Sequence, residues 1–204
     1  MTGYGMRIAV CVVALFVAFF SQVDDAAAGR AMRTVVDRSG KKIRVPVEPK
    51  RIACFFGPSY EKVFLLGMAD RVAAMSIRQP PWAHKLNPAL KDVAVMPSYN
   101  NPDVERMLSL GIDLVFYWQW PQQTRRMTSA GVPVICPYDQ EGRPTTREEF
   151  MGRYKDEIRL YGDVLGAGAR EIAASYCAYY DAALRRVVSV TEKIPESRRP
   201  TVYY

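Results

Sequence analysis

Between Arg51 and Cys136 the hydrophobic positions fall in short unbroken runs: Arg51–Phe55, Val72–Met75, Val93–Met96, Leu114–Tyr117 and Val134–Cys136. A run with almost no polar position has no face to give to water. Each therefore predicts a strand buried on both sides, as in a parallel sheet covered by helices. Helical periodicity separates the runs, over Tyr60–Leu66, Asp103–Leu110 and Gln122–Ala130. Ser59 is placed to cap the first helix, Pro102 falls at the first turn of the second, and Gly67 and Gly111 follow their ends. Upstream, Arg33–Asp37 and Lys42–Val45 flank Ser39-Gly40, a hairpin signal in which glycine supplies the positive φ. Pro46 and Pro49 donate no ladder hydrogen bond and end that pairing.

After Cys136 the style changes. Arg147–Leu165 and Ala169–Lys193 are helical, and the second carries an apolar stripe of Ile172, Tyr176, Tyr179, Tyr180, Ala183, Leu184 and Val187. At 1.5 Å per residue that helix spans roughly 37 Å, more than a small α/β layer needs, so it bridges to something further. Pro200–Tyr204 reads as the opening of a next strand. The expected fold class is α/β: a hairpin, a Rossmann-like parallel sheet flanked by helices, then a long bridging helix, in a chain that breaks off where a second lobe would begin. The expected divisions are 1–28, 29–145, 146–199 and 200–204.

The first 28 residues change the picture of where the chain works. Arg7 precedes an apolar run from Ile8 to Phe20, then polar residues, then Ala26-Ala27-Ala28-Gly29. That order is a secretory signal peptide cut after Ala28, and the run falls short of the roughly 20 residues a membrane span needs. An uncleaved anchor is the alternative. Cys11 lies inside the apolar run rather than at the cleavage point, so the expectation is a periplasmic chain that is not a lipoprotein. Removing the segment takes one arginine and two aspartates and moves the formal charge from +7 to +8. The cations are dispersed rather than striped, which argues against nucleic acid and for an anionic ligand or membrane surface nearby. Three cysteines remain, Cys54, Cys136 and Cys177, an odd number that predicts buried free thiols rather than a disulfide framework.

The run RIACFFGPSYEKVFLLGMADRVAAMS (Arg51–Ser76) resembles the opening of the substrate-binding proteins that serve iron-siderophore and cobalamin ABC importers. NPDVERMLSLGIDLVFY (Asn101–Tyr117) is similar to another segment of that family, with Ile112 where proline is usual. Gly131–Val134, Ile158–Gly162 with Leu165-Gly166, and Pro200–Tyr204 resemble further stations in the same order. The resemblance implies two α/β lobes joined by a long rigid helix with the ligand between them, of which this chain holds the first lobe and the helix. It also implies a monomer that delivers a metal chelate (a ferric siderophore, haem or a corrinoid) to an ABC permease dimer, with no cofactor of its own. The glutamate matching Glu105 pairs with permease arginines in that family, whereas a carboxylate in the first turn of a helix also serves the dipole. Glu61, near another helix start, reads as structural.

An open parallel sheet binds its ligand beyond the carboxyl ends of the strands. The residues there are Phe56, Gly57, Pro58, Ser59 and Tyr60; Ile77, Arg78, Gln79 and Trp82; Ser98, Tyr99 and Asn100; Trp118, Gln119 and Trp120; Tyr138, Asp139 and Gln140. Of these, Phe56, Tyr60, Arg78, Trp82, Tyr99, Trp118, Trp120 and Tyr138 are the candidate ligand contacts. Aromatic walls suit a bulky chelate with an organic periphery, and Arg78 could meet an anionic one. The alternative is that these aromatics only seal the top of the sheet. His84, the single histidine, is expected in a proline-rich loop, QPPWAHKLNP, either solvated or as one ligand to a chelated metal. No H-E-x-x-H, G-x-S-x-G, P-loop or C-x-x-C motif is present, so an exported hydrolase is the lesser reading and a non-transporting half-protein another.

Overall fold

A computed structural model of the chain, which describes residues 30–118, 120–139 and 142–201, carries the expected parallel sheet. Two units divide the chain between Met32 and Arg33, and the fold is that of the second. The signal-peptide reading lies outside the described residues, as do Gln119, Gln140 and Val202–Tyr204 of the expected terminal strand; Pro200 and Thr201 are not in a strand. No helix among the described residues is long and apolar enough to cross a membrane.

Strands β1 (Met32–Val36) and β2 (Lys42–Pro46) form the hairpin sheet, with Gly40 at φ 79° in its turn. The main sheet comprises β3 (Ile52–Cys54), β4 (Val72–Met75), β5 (Ala94–Val95), β6 (Leu114–Phe116) and β7 (Val134–Ile135). Its order is β5-β4-β3-β6-β7 and every pairing is parallel. Helices α1 (Gly57–Leu65), α2 (Pro81–Leu86), α3 (Val104–Ser109), α4 (Pro121–Ser129), α5 (Arg147–Leu165) and α6 (Ala167–Thr191) complete it.

The unbroken apolar runs divide by alternate residues, because successive side chains leave a strand on opposite faces. Ile52, Cys54, Leu114, Phe116 and Ile135 share one buried cluster with residues of α1, α5 and α6. Ala53, Phe55, Val115, Tyr117 and Val134 share the other, with Met107 of α3 and Met127 of α4. Register at the centre is fixed by a buried carboxylate. Asp113 accepts from the backbone N–H of Lys50 and Arg51, each at 3.0 Å, so the start of β3 is tied to the start of β6.

Three local expectations are corrected. Ser59 does not cap α1: Phe56 is the cap residue, Pro58 lies in the first turn, and the buried Ser59 hydroxyl donates back to the Phe56 carbonyl at 2.5 Å. The helix thus starts directly off the strand, since proline needs no N–H partner there. Pro102 precedes α3, because Asp103 is the better cap and its carboxylate accepts from the Arg106 N–H. The stretch around His84 is not a loop but α2, with Pro81 in its first turn. The three cysteines are free and buried, as expected.

Helix α6 has the expected 25 residues, but its buried line is not the expected stripe. Ala169, Ala173 and Cys177 are buried, while Ile172, Tyr179 and Val187 are exposed; Tyr176 and Tyr180 are intermediate and meet Tyr154 of α5. The reason is a close helix crossing. A Cβ at Gly162 of α5 would stand 2.7 Å from the Ala173 Cβ and 3.1 Å from the Arg170 Cα, so only small residues fit on both sides. Gly162→Ala is therefore expected to destabilise the fold by about 1–3 kcal/mol, the scale of overpacking. Thermal melts followed by circular dichroism should show a drop of several degrees, partly restored by adding Ala173→Gly; an unchanged midpoint in the single variant contradicts the close crossing.

Candidate functional site

The chain runs outward from β3 through β4 to β5, then returns to the other side of β3 for β6 and β7. In open parallel sheets such a reversal is where ligands bind, beyond the carboxyl ends of the strands. The register brings Cys54 opposite Phe116, so Phe56 and Trp118 emerge side by side, two residues later on each strand. Their ring centroids are 5.0 Å apart. Tyr138, after β7, joins both, at 5.1 Å from Phe56 and 4.9 Å from Trp118. Trp118 keeps 39% of its surface exposed.

A second aromatic group flanks the first. Tyr99 stacks on Trp120 at 5.8 Å, and Tyr117 meets Trp120 edge-on at 6.0 Å. The Tyr117 hydroxyl donates to the Tyr99 carbonyl at 2.6 Å, holding the loop after β5 against the end of β6. On the other side of Trp118 a hollow of about 490 Å³ has Pro137, Tyr138, Phe150 and Tyr154 among its walls. Arg38, Asp139, Arg153 and Glu157 also line it, and each is ion-paired: Arg38 with Asp139, Arg153 with Glu149 outside the hollow, and Glu157 with Lys62, also outside it, at 3.1 Å. Burial pushes the Glu157 carboxyl up despite the opposing Lys62.

The hairpin tip shapes this side of the face. One Asp37 carboxylate oxygen accepts from the N–H groups of Ser39 and Lys41, while the other accepts from the Cys136 N–H at 3.3 Å. The Arg38 N–H donates to the Cys136 carbonyl at 3.1 Å. Together they fasten the tip to the strand end that carries Tyr138. Arg38, Arg153 and Glu157 were not legible as site residues. Arg153 follows Glu149 by four, but that spacing signals an ordinary helix ion pair.

The remaining candidates separate. Tyr60 packs on Phe64 at 5.6 Å against the core. Arg78 and His84 line another hollow, beyond β4, and Trp82 on α2 is 64% exposed. The His84 Nε2 lies 3.0 Å from the Gln79 carbonyl. Glu105 is exposed in the first turn of α3, beside Arg125 and Arg126 of α4 in a shared groove. Glu61 is exposed on α1. Among the described residues no three His, Cys, Asp or Glu side chains are grouped so as to hold a metal ion.

No protein-family model matches the chain. It is similar to the probable siderophore-binding lipoprotein YfiY of Bacillus subtilis (strain 168), at 25% identity over 175 residues, which is 83% of this chain and 48% of that protein. The chain thus spans about half the length of the curated relative it matches. Among solved structures it is similar to the molybdate periplasmic binding protein MolA of Haemophilus influenzae, with TM-score 0.70 and 16% identity over 82% of this chain and 56% of that one. It is also similar to the petrobactin-binding protein YclQ of Bacillus subtilis, with TM-score 0.61 and 22% identity over 80% and 55%. The chain has the fold of substrate-binding proteins, as its sequence resemblance implied, and all three relatives are binding proteins by name. YfiY is named a lipoprotein, at odds with the expected lack of a lipid anchor; Cys11 lies outside the described residues.

Burial raises several neutral acids of this region. The Cys54 thiol is pushed up from 9.0 to about 12 and the Tyr117 phenol from 10.0 to about 12, while Tyr138 and Tyr161 are likewise held above the ordinary range. A group whose folded pKa is raised stabilises the fold fully below its unfolded pKa and loses that contribution as pH climbs toward the folded value. The melting temperature is therefore expected to hold to about pH 8.5 and to fall from there to about pH 12. Melts of wild type and Tyr117→Phe across this range should show a shallower fall in the variant; equal slopes would mean that Tyr117 titrates freely.

Proposed function

We propose that the chain forms the ligand-facing α/β lobe, residues 29–145, and the helical connector, residues 146–199, of an extracytoplasmic binding protein. Its work is to capture a metal chelate and present it to the permease of an ABC importer. The observation that carries this reading is the trio Phe56, Trp118 and Tyr138, in mutual contact at the switch point of the sheet. Such a face offers flat apolar area to the organic periphery of a chelate and no group poised for bond breaking. The names of two relatives, a probable siderophore-binding lipoprotein and a petrobactin-binding protein, support the same class. Tyr99 and Trp120 extend the aromatic wall. The order of charge, apolar run and small residues before Gly29 supports export with cleavage near Ala28.

The face is tested by quenching of tryptophan fluorescence with ferric hydroxamate and ferric catecholate chelates. Trp118→Ala and Trp120→Ala should each weaken binding by about tenfold, the scale of one aromatic contact of about 1.5 kcal/mol. Wild-type affinity in both variants assigns the rings to packing.

Docking is assigned to Glu105, whose exposed carboxylate is free to meet a permease arginine while Asp103 caps its helix. A rim charge of this kind sets orientation and encounter rate more than affinity. Glu105→Arg should lower chelate uptake by cells while melting temperature and chelate affinity stay at wild-type values. Normal uptake, or a parallel loss of chelate binding, removes the docking role.

A further inference from the structure

Helices α3 and α4 cover the same face of the sheet, each anchored by a fully buried methionine, Met107 and Met127. Glu105 and Arg125 precede those methionines by two positions, about 200° around a helix, so both point away from the core. An open groove of about 930 Å³ has both residues in its lining. Its charged groups are Asp103 and Glu105 on the α3 side and Arg125 and Arg126 on α4, so acids oppose bases and the groove has no net charge. Leu108, 50% exposed, follows Glu105 by three and shares its side of α3.

Half of this charge is already committed. The Asp103 carboxylate accepts from the Arg106 N–H at 3.0 Å, and the Arg126 guanidinium donates to the side chains of Asn101 and Gln123. Among the described residues, neither Glu105 nor Arg125 has an ion-pair partner, although they line one groove. Exposed opposite charges elsewhere on the surface do pair: Arg147 with Glu148, Arg159 with Asp156 and Arg170 with Asp163. A partner that brings a base to Glu105 and an acid to Arg125 satisfies both at once. A groove without net charge exerts little pull beyond a Debye length, about 8 Å at physiological salt, so it selects by the order of its charges and not by their sum. The same partner turned about sets like charge against like at both positions, which disfavours that orientation.

We propose that the groove between α3 and α4 reads the polarity of the permease surface it docks on. Arg125 takes a permease carboxylate while Glu105 takes a permease base, and the two opposite contacts together fix the rotation of the lobe on its partner. Leu108 adds an apolar contact at the edge of the same surface. The inference rests on the assignment of Glu105 to docking and adds to it a second contact of opposite sign, from a different helix.

The test is uptake of ferric hydroxamate and ferric catecholate chelates by cells whose own gene carries Arg125→Glu, Glu105→Arg or both. Each single reversal should slow uptake several-fold while melting temperature and chelate affinity keep their wild-type values. The double reversal leaves the groove neutral but inverts its polarity, so it should be slowed at least as much as either single variant. Arg125→Gln and Glu105→Gln repeat the test without adding a charge, and their combined effect should be the product of the separate ones. Recovery of uptake in the double reversal, or faster uptake in Arg125→Gln, would mean that the two side chains act on each other, and overturns the inference. Loss of chelate affinity in an Arg125 variant also overturns it. Normal uptake in both Arg125 variants overturns it as well, yet leaves Glu105 as a docking charge. Normal uptake in both Glu105 variants removes the docking reading and the inference together. A wild-type chain that dimerises in sedimentation, and ceases to do so in Arg125→Glu, assigns the groove to a second copy instead of a permease.

Discussion

The contact on which the aromatic face depends lies at the opposite end of the sheet. Asp113 stands immediately before β6, and its buried carboxylate holds the first two N–H groups leading into β3. Hydrogen bonds to a buried charge are each worth on the order of 1.5–3 kcal/mol, and these two leave β3 and β6 no freedom to slip. Slippage would be costly for another reason. A shift of one residue would exchange the two faces of β3, placing Phe55 among α1, α5 and α6 and Cys54 under α3 and α4. With the register fixed, Phe56 and Trp118 must leave the sheet as neighbours. The aromatic face is thus a downstream consequence of a polar anchor about the length of one strand away.

The same geometry explains why aromatic residues of like composition have different roles. Phe55, Phe116, Tyr117 and Tyr161 are inside the layers and almost wholly buried. Phe56, Trp118 and Tyr138 sit just past the last ladder residues, where the helices no longer cover both faces, and are left partly exposed. One residue of chain length separates a buried ring from a partly exposed one. Tyr117 and Trp118 are adjacent, yet the first holds a loop through its hydroxyl while the second packs on Phe56.

Much of this was legible in the sequence because the determinants are local. Unbroken apolar runs gave the strands, Gly67 and Gly111 marked the helix ends, and counting past each run named Phe56, Trp118 and Tyr138. What escaped depends on neighbours distant in sequence. The exposed stripe of α6 has good helical periodicity, but Gly162 on α5 decides which face can approach, and it selects Ala169, Ala173 and Cys177. The proline-rich stretch around Trp82 read as a loop, although Pro81 in a first turn starts a helix rather than ending one. The gathering of Arg78, His84, Lys85 and Lys91 could not be seen either, since it needs α2 and the following turn folded on one another. Asp37 reads as a turn residue, and its reach to Cys136 leaves no trace in spacing.

That reach bears on the order of assembly. The Asp37 carboxylate and the Cys136 N–H are separated by 99 positions, and Arg38 and Asp139 by 101. Contacts so distant along a chain carry a large closure entropy and form late. The β3–β4 pair closes over far shorter loops, so the centre of the sheet can be complete while the segment bearing Tyr138 still lacks its fastening. A polypeptide that reaches its compartment amino end first would hold the hairpin ready and unattached until the seventh strand arrived. Its last act of folding would then be the one that brings Tyr138 to Phe56 and Trp118, which makes the exposure of those rings a reporter of completed folding rather than of mere compaction.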